Sequence, residues 1–257
     1  MSQKPPFLSV VIPAFNEEDR LPSTLDAVLA FLRGWGRSWE IVVVDDGSID
    51  RTAEMARAKL AGTPHQVIEN VRNRGKGASI RRGMLAARGR LRLFADADNS
   101  TPIEQVDKLL SAMRRQRAQV AIGSRAALGA SLEKRQPLYR EAMGRTFNLI
   151  VQALVLPGIK DTQCGFKVFT ARAAEEVFSR ATRDGFSFDV EALMLARRMG
   201  LRVVEAPVRW IDNPASRVSP VRDAARMFGD VVRLRVEWWL KPPAKRKDSR
   251  CRTSGLA

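Results

Sequence analysis

The first apolar run, Leu8-Ser9-Val10-Val11-Ile12-Pro13, is short and almost free of polar breaks, the pattern of a strand covered on both faces. Leu21, Leu25, Val28, Leu29 and Leu32 then recur at helical spacing and predict a helix over 21–33. Glu40-Ile41-Val42-Val43-Val44 predicts a second strand that stops at Asp45-Asp46-Gly47-Ser48. A helix over 52–60, a weak strand at Val67-Ile68 and a helix from Gly75-Lys76-Gly77 to Ala87 follow. Arg90-Leu91-Arg92-Leu93-Phe94-Ala95 is a strand halted by Asp96-Ala97-Asp98. A helix over 103–117 leads to the strand Val120-Ala121-Ile122-Gly123.

The second half is less regular. Helices are expected over 142–156, 173–180, 190–199 and 221–240, with strands near 165–169 and 202–206. Strand alternating with helix predicts an α/β fold: a mostly parallel central sheet with helices on both faces, in a single domain. Ligands in such sheets bind at the carboxyl ends of the strands. The polar signatures fall at those ends: Phe15-Asn16-Glu17, Asp45-Asp46, Asp96-Ala97-Asp98 and Gly123-Ser124-Arg125.

Length and composition then narrow the class. The chain has 257 residues, 45% of them hydrophobic, enough for a sizeable core. No run of about eighteen uncharged apolar residues is present, so no helix is expected to span a bilayer. No secretory signal precedes Leu8, and the expected setting is cytoplasmic. Cys164 and Cys251 are too few for a disulfide framework, and neither forms a zinc-type pair.

The net charge of +16 favours anionic partners. At the C-terminus Lys241, Lys245, Arg246, Lys247, Arg250 and Arg252 stand against Asp248 alone, and 236–257 is expected to be a flexible basic tail. No helix-turn-helix, zinc-finger or RNP-type motif accompanies the charge, so nucleic acid is not the expected partner.

Asp96 and Asp98, two apart on one loop, suit a hard cation whose remaining ligands come from phosphate. Asp45-Asp46-Gly47-Ser48 reads either as a turn with a helix cap or as a contact to base and ribose. Asn73-Arg74-Gly75-Lys76-Gly77 has the glycines of a phosphate loop, although it is not a Walker sequence. Arg125 at the rim suits bidentate phosphate binding, with Arg140 and Arg145 downstream. Asp189 and Glu191 read equally as site carboxylates or as acids at a helix start. His65 is the sole histidine and lies in a loop, which leaves no basis for a Ser-His-Asp mechanism.

These residues together resemble a family-two glycosyltransferase of the GT-A fold. The superfamily signatures are Val11-Ile12-Pro13-Ala14-Phe15-Asn16-Glu17-Glu18, Val43-Val44-Asp45-Asp46-Gly47-Ser48, Asn73-Arg74-Gly75-Lys76-Gly77, Asp96-Ala97-Asp98 and Gly123-Ser124-Arg125. Asp161-Thr162-Gln163-Cys164-Gly165-Phe166-Lys167, Phe188-Asp189-Val190-Glu191 and Trp210-Ile211-Asp212-Asn213 are similar to the dolichyl-phosphate glucosyltransferase branch, cousin to the dolichol-phosphate mannose synthases. The resemblance spans 7–235, taken as one catalytic domain.

It implies an inverting transfer of a sugar from a nucleotide donor, UDP-glucose in this branch, onto a polyprenyl or dolichyl phosphate at the cytosolic membrane face. It implies that Pro13, Phe15, Glu17, Val44 and Asp46 line the nucleoside pocket and that Lys76 approaches the nucleotide. Asp96, Ala97 and Asp98 would meet the diphosphate, with Mg²⁺ or Mn²⁺ on Asp96 and Asp98. Arg125, Arg145, Ser216 and Arg217 would hold the acceptor phosphate, and Asp189 is a further catalytic candidate.

The match has departures. Ser100 stands where mannose synthases carry a metal-binding glutamine, and Asn213-Pro214-Ala215-Ser216-Arg217 replaces their Arg-x-x-Gly-x-Ser-Lys loop. The N-terminal anchor of the eukaryotic glucosyltransferases has no counterpart before Leu8. Other readings are a GDP-mannose donor, a hydroxyl acceptor that would need a base, a nucleotidyltransferase, and a nucleic-acid-binding protein.

Overall fold

The computed structural model describes residues 4–134, 138–212 and 220–240. Strands β1 (Leu8–Ala14), β2 (Trp39–Asp45), β3 (His65–Glu69) and β4 (Leu91–Ala95) alternate with helices α1 (Leu21–Gly34), α2 (Thr52–Leu60) and α3 (Lys76–Ala86). A 3₁₀ turn, Ile103–Gln105, leads into α4 (Val106–Gln116) and β5 (Val120–Ser124). Next come β6 (Ser131–Lys134), α5 (Leu138–Leu154), β7 (Phe166–Thr170), α6 (Ala171–Phe178) and α7 (Phe188–Arg198). The strands β8 (Val203–Pro207) and β9 (Arg209–Ile211) precede the last helix, α8 (Pro220–Leu240).

The main sheet has seven strands in the order β3-β2-β1-β4-β7-β5-β8. All its pairings are parallel except those of β7, which runs antiparallel between β4 and β5. The expected mostly parallel α/β sheet is present.

Burial explains why the strands read as continuous apolar runs: every residue of β1 is buried. Leu8, Val10 and Ile12 pack into one layer with Leu21, Leu25, Leu32, Leu109 and Met113 from α1 and α4. Val11, Val42 and Val44 pack into the other with Ile80 and Met84 of α3, Phe178 of α6 and Leu193 of α7.

The strand order places a topological switch between β1 and β4. The β1–β2 ladder runs to Ala14↔Asp45, whereas the β1–β4 ladder ends at Val11↔Phe94. Pro13, which has no N–H to donate, therefore lies beyond the last β4 pairing. The two ladders end there at different heights, at a switch point, where sheets of this kind form a ligand crevice at the carboxyl edge.

The strands at 166–170 and 203–207 lie within a residue or so of their expected places. The small parallel sheet of β6 and β9 was not expected. Ser131-Leu132-Glu133-Lys134 and Arg209-Trp210-Ile211 are too short and too polar to show a period.

Candidate active site at the carboxyl edge of the sheet

The loops after β1, β2, β4 and β5 reach one rim, as the parallel register requires. Antiparallel β7 adds a segment that alternation alone does not place. Its first residue, Phe166, pairs with Ala95, so the run Asp161–Gly165 enters the rim beside Asp96. Gly165 leaves room there for the Asp96 carboxylate, which occupies the space a Cβ at that position would fill.

Asp96 and Asp98 face a cationic neighbourhood. The Lys76 Nζ lies 2.6 Å from Asp96 Oδ1, an ion pair off the angles of a directed hydrogen bond. Burial disfavours the Lys76 ammonium, but Asp96, Asp189 and Asp98 outweigh it and raise its pKa. Burial, with repulsion from Asp96, pushes the Asp98 carboxyl above its ordinary value. One Asp98 oxygen accepts the Ser100 N–H at 2.9 Å. The Ala97 carbonyl accepts from Thr24 Oγ1 at 2.7 Å, which ties this loop to α1.

Two carboxylates side by side, one of them held by the flexible Lys76 side chain, fit a divalent cation that takes its other ligands from phosphate and water. Among the described residues no group of three or more His, Cys, Asp or Glu gathers to form an all-protein metal cage.

The nucleoside side is built by β1 and β2. Phe15 is exposed at the rim, and Glu17 pairs with Arg20, with Nη2 2.5 Å from Oε1. Asn16 has φ 53°, a conformation asparagine tolerates; its N–H donates to Ser48 Oγ and its Oδ1 accepts from the Ile49 N–H. Pro13 is buried between the strands, and the Val44 side chain packs into the core at the position of Gly83. Val44 therefore borders the crevice through its backbone.

The two aspartates at the end of β2 divide their tasks. Asp45 accepts from the Ser48 N–H and hydroxyl, which closes the turn. Asp46 is buried and accepts from Asn70 Nδ2 at 2.7 Å, Arg74 N at 3.1 Å and Gly75 N at 2.7 Å.

That arrangement corrects the reading of Asn73–Gly77 as a phosphate loop. The N–H groups of Arg74 and Gly75 are held by Asp46, and the Asp184 carbonyl accepts from Gly77 N at 2.8 Å. The glycines serve close packing: a Cβ on Gly75 would overlap the Asp184 carbonyl, and one on Gly77 the Arg183 carbonyl. This segment reaches the crevice through the Lys76 side chain.

Arg125 stands at the rim, bound bidentately to Asp161, with Nε 2.7 Å and Nη2 2.9 Å from its carboxylate. Burial weakens the Arg125 cation, but Asp161 outweighs that and holds the guanidinium charged. The Trp210 ring centroid lies 5.4 Å from the Arg125 guanidinium carbon. Cys164 is buried, and burial with the Asp161 charge pushes its thiol up to about 12, so it is no nucleophile at neutral pH.

Asp189 is buried and ion-paired with Lys167, whose ammonium also donates to the Cys164 carbonyl at 2.7 Å. Burial raises the Asp189 pKa against the pull of Lys167 and Lys76. Glu191, the other open carboxylate, is a loop brace: it accepts from Thr182 N, Thr182 Oγ1 and Arg183 N at 2.7–3.0 Å. Residue type alone gives Asp161 and Lys167 no role; Lys167 stands as a charged side chain within an apolar run, while Asp161 lies among polar neighbours and gives no such signal. Arg145 belongs to α5 with its side chain outside the described set, and Ser216 and Arg217 lie outside the described residues.

Comparison with known proteins gives this geometry a family. The model of "Glycosyl transferase family 2" matches residues 9–178. A dolichyl-phosphate beta-glucosyltransferase of Drosophila melanogaster is 38% identical over 244 residues, 90% of this chain and 75% of that protein. The protein of the same name from Homo sapiens is 37% identical over 245 residues, with 90% and 75% covered.

Among solved structures, glucosyl-3-phosphoglycerate synthase from Mycobacterium tuberculosis, in complex with Mn²⁺, UDP and phosphoglyceric acid, superposes with a TM-score of 0.67. It is 21% identical and covers 93% of this chain and 80% of its own, a likeness of fold. With the strand-end aspartates, the crevice at the switch point and these matches in place, the chain is a glycosyltransferase and belongs to glycosyl transferase family 2.

Proposed function

We propose that the chain moves glucose from UDP-glucose onto a polyprenyl or dolichyl phosphate, with inversion, at the cytosolic face of a membrane. The observation that carries this reading is the meeting of Asp96, Asp98 and Lys76 at the β1/β4 crevice, in a chain more than a third identical to dolichyl-phosphate beta-glucosyltransferases.

In this reading Pro13, Phe15, Glu17 and the backbone of Val44 bound the nucleoside, and Asp46 shapes the adjoining loop. Asp96 and Asp98 would hold Mg²⁺ or Mn²⁺, which would supply Lewis-acid relief of the charge on the departing diphosphate. Lys76 sets a cation beside the same oxygens. Arg125, held in place by Asp161, binds the acceptor phosphate, together with Arg145, Ser216 and Arg217.

The acceptor needs no strong base. A phosphate monoester has its second pKa at about 6, so the attacking oxygen is already anionic at neutral pH. The work left to the protein is alignment and charge stabilisation. Asp189, engaged with Lys167, is then not needed as a base.

The lipid requires an apolar surface. No helix among the described residues is long and apolar enough to cross a membrane. α8 instead exposes Phe228, Val232, Val236 and Leu240 at four-residue spacing, and Leu149 of α5 is also exposed. These side chains form the proposed peripheral contact with the bilayer, extended by Trp238, Trp239 and the basic tail.

The test is a donor panel, including UDP-glucose and GDP-mannose, offered with a polyprenyl phosphate and with free hydroxyl acceptors. The expected result is a lipid-linked hexose from UDP-glucose with release of UDP. Product from GDP-mannose alone would change the donor, product on hydroxyls alone would remove the lipid, and pyrophosphate release would exclude sugar transfer.

A further inference from the structure

We infer that the Lys76 ammonium occupies the cation position beside Asp96 in the ligand-free protein, and leaves it only when a nucleotide diphosphate arrives with its own divalent ion. The inference rests on the proposed metal site at Asp96 and Asp98.

The geometry allows one cation at a time. The Lys76 Nζ is 2.6 Å from Asp96 Oδ1, the distance of direct charge contact. The Asp96 carboxylate lies against the Gly165 backbone, in the space a Cβ there would fill. A metal ion on the same oxygen would share that space with an ammonium of like charge, which is strongly unfavourable in a partly buried crevice.

The lysine backbone is fixed. Gly75 N is bound to Asp46 at 2.7 Å and Gly77 N to the Asp184 carbonyl at 2.8 Å. Only the four-carbon stem can move, and the incoming diphosphate gives the ammonium an alternative anion within reach.

The consequence is a coupling. In the free protein the metal must displace Lys76 from Asp96 without compensation, so it binds weakly. With nucleotide present the diphosphate receives the displaced ammonium and also adds ligands to the metal. Each then strengthens the other by the same factor, as linkage demands. Lys76 is thus a positioning residue that makes the binding of metal and donor conditional on each other.

Mn²⁺ binding, followed by the electron paramagnetic resonance of the free ion, reads this directly without turnover. In the absence of UDP, Lys76→Met should bind Mn²⁺ about tenfold more tightly than wild type, within the usual range of coupled sites. The factor by which UDP tightens Mn²⁺ binding should shrink correspondingly. Circular dichroism and the melting temperature establish that the variant is folded.

A folded Lys76→Met that binds Mn²⁺ no more tightly than wild type overturns the inference. Asp96→Asn separates this from failure of the site itself. If Asp96→Asn loses Mn²⁺ binding while Lys76→Met gains none, only the displacement is wrong. If Asp96→Asn binds Mn²⁺ as wild type does, the metal site is wrong as well.

Discussion

Most acids around the rim are already engaged by the fold. Asp46 holds the backbone at Arg74 and Gly75, Asp161 holds Arg125, Glu191 holds Thr182 and Arg183, and Asp189 holds Lys167. Asp96 meets only the flexible Lys76 ammonium and Asp98 accepts from Ser100, which leaves this pair the better placed of the rim acids for a ligand. Sequence showed the acids but not this division, because a carboxylate at a strand end looks the same whether it meets a backbone N–H or a substrate. Lys167 makes the point: nothing in Gly165-Phe166-Lys167-Val168-Phe169 says that its ammonium lies wholly buried against Asp189. Asp189→Asn tests the assignment. Breaking a buried pair by removing one partner costs about 3–5 kcal/mol, so the variant should melt at a markedly lower temperature. At a temperature where it remains folded, turnover should stay near wild type. Collapse of turnover with the fold intact would make Asp189 a participant in the chemistry.

At the scale of elements, the hydrophobic period located the helices and strands of the first half to within a few residues. α1 and α2 follow strong apolar spacing or clear breaks, and β1 and β2 are apolar throughout. The phosphate-loop reading of Asn73–Gly77 failed for a physical reason. Its glycines answer a packing demand from Arg183 and Asp184, a hundred residues away in the chain, which no local pattern records. The two faces of α8 differ: Val231 and Leu234 are buried, whereas Phe228, Val232, Val236 and Leu240 are exposed. Val232→Asp and Val236→Asp should therefore each change the folding stability by no more than about 0.5 kcal/mol, as surface changes do. The same pair should lower flotation with anionic liposomes. Unchanged flotation would remove α8 from the membrane contact.

For the whole molecule, the alternation of strand and helix was enough to predict a mostly parallel sheet and one functional rim. It could not place β7, which enters antiparallel between β4 and β5 and brings Asp161–Gly165 to the site. This insertion has a signature in acid. Burial works against the Asp161 carboxylate, but Arg125 outweighs it and holds its pKa below the ordinary value. A depressed carboxyl adds stability that is present above the unfolded value of about 3.9 and is lost as pH falls through the folded one. Asp189, whose pKa is raised, acts in the opposite sense and favours folding most before it ionises. The stability gap between wild type and Asp161→Asn should thus be widest near neutrality and narrow as pH falls below about 4. A gap that is constant from pH 7 to 3 would show that the Asp161 charge contributes nothing.

The central claim is that the rim grips the donor's diphosphate through Asp96 and Asp98. Crystals grown with Mn²⁺ and UDP, measured at the manganese absorption edge, test it most directly. The account predicts an anomalous peak shared by these two carboxylates and the UDP phosphates, at the crevice between β1 and β4. A peak and a nucleotide bound elsewhere on the chain, with Asp96 still closed on Lys76, would contradict it.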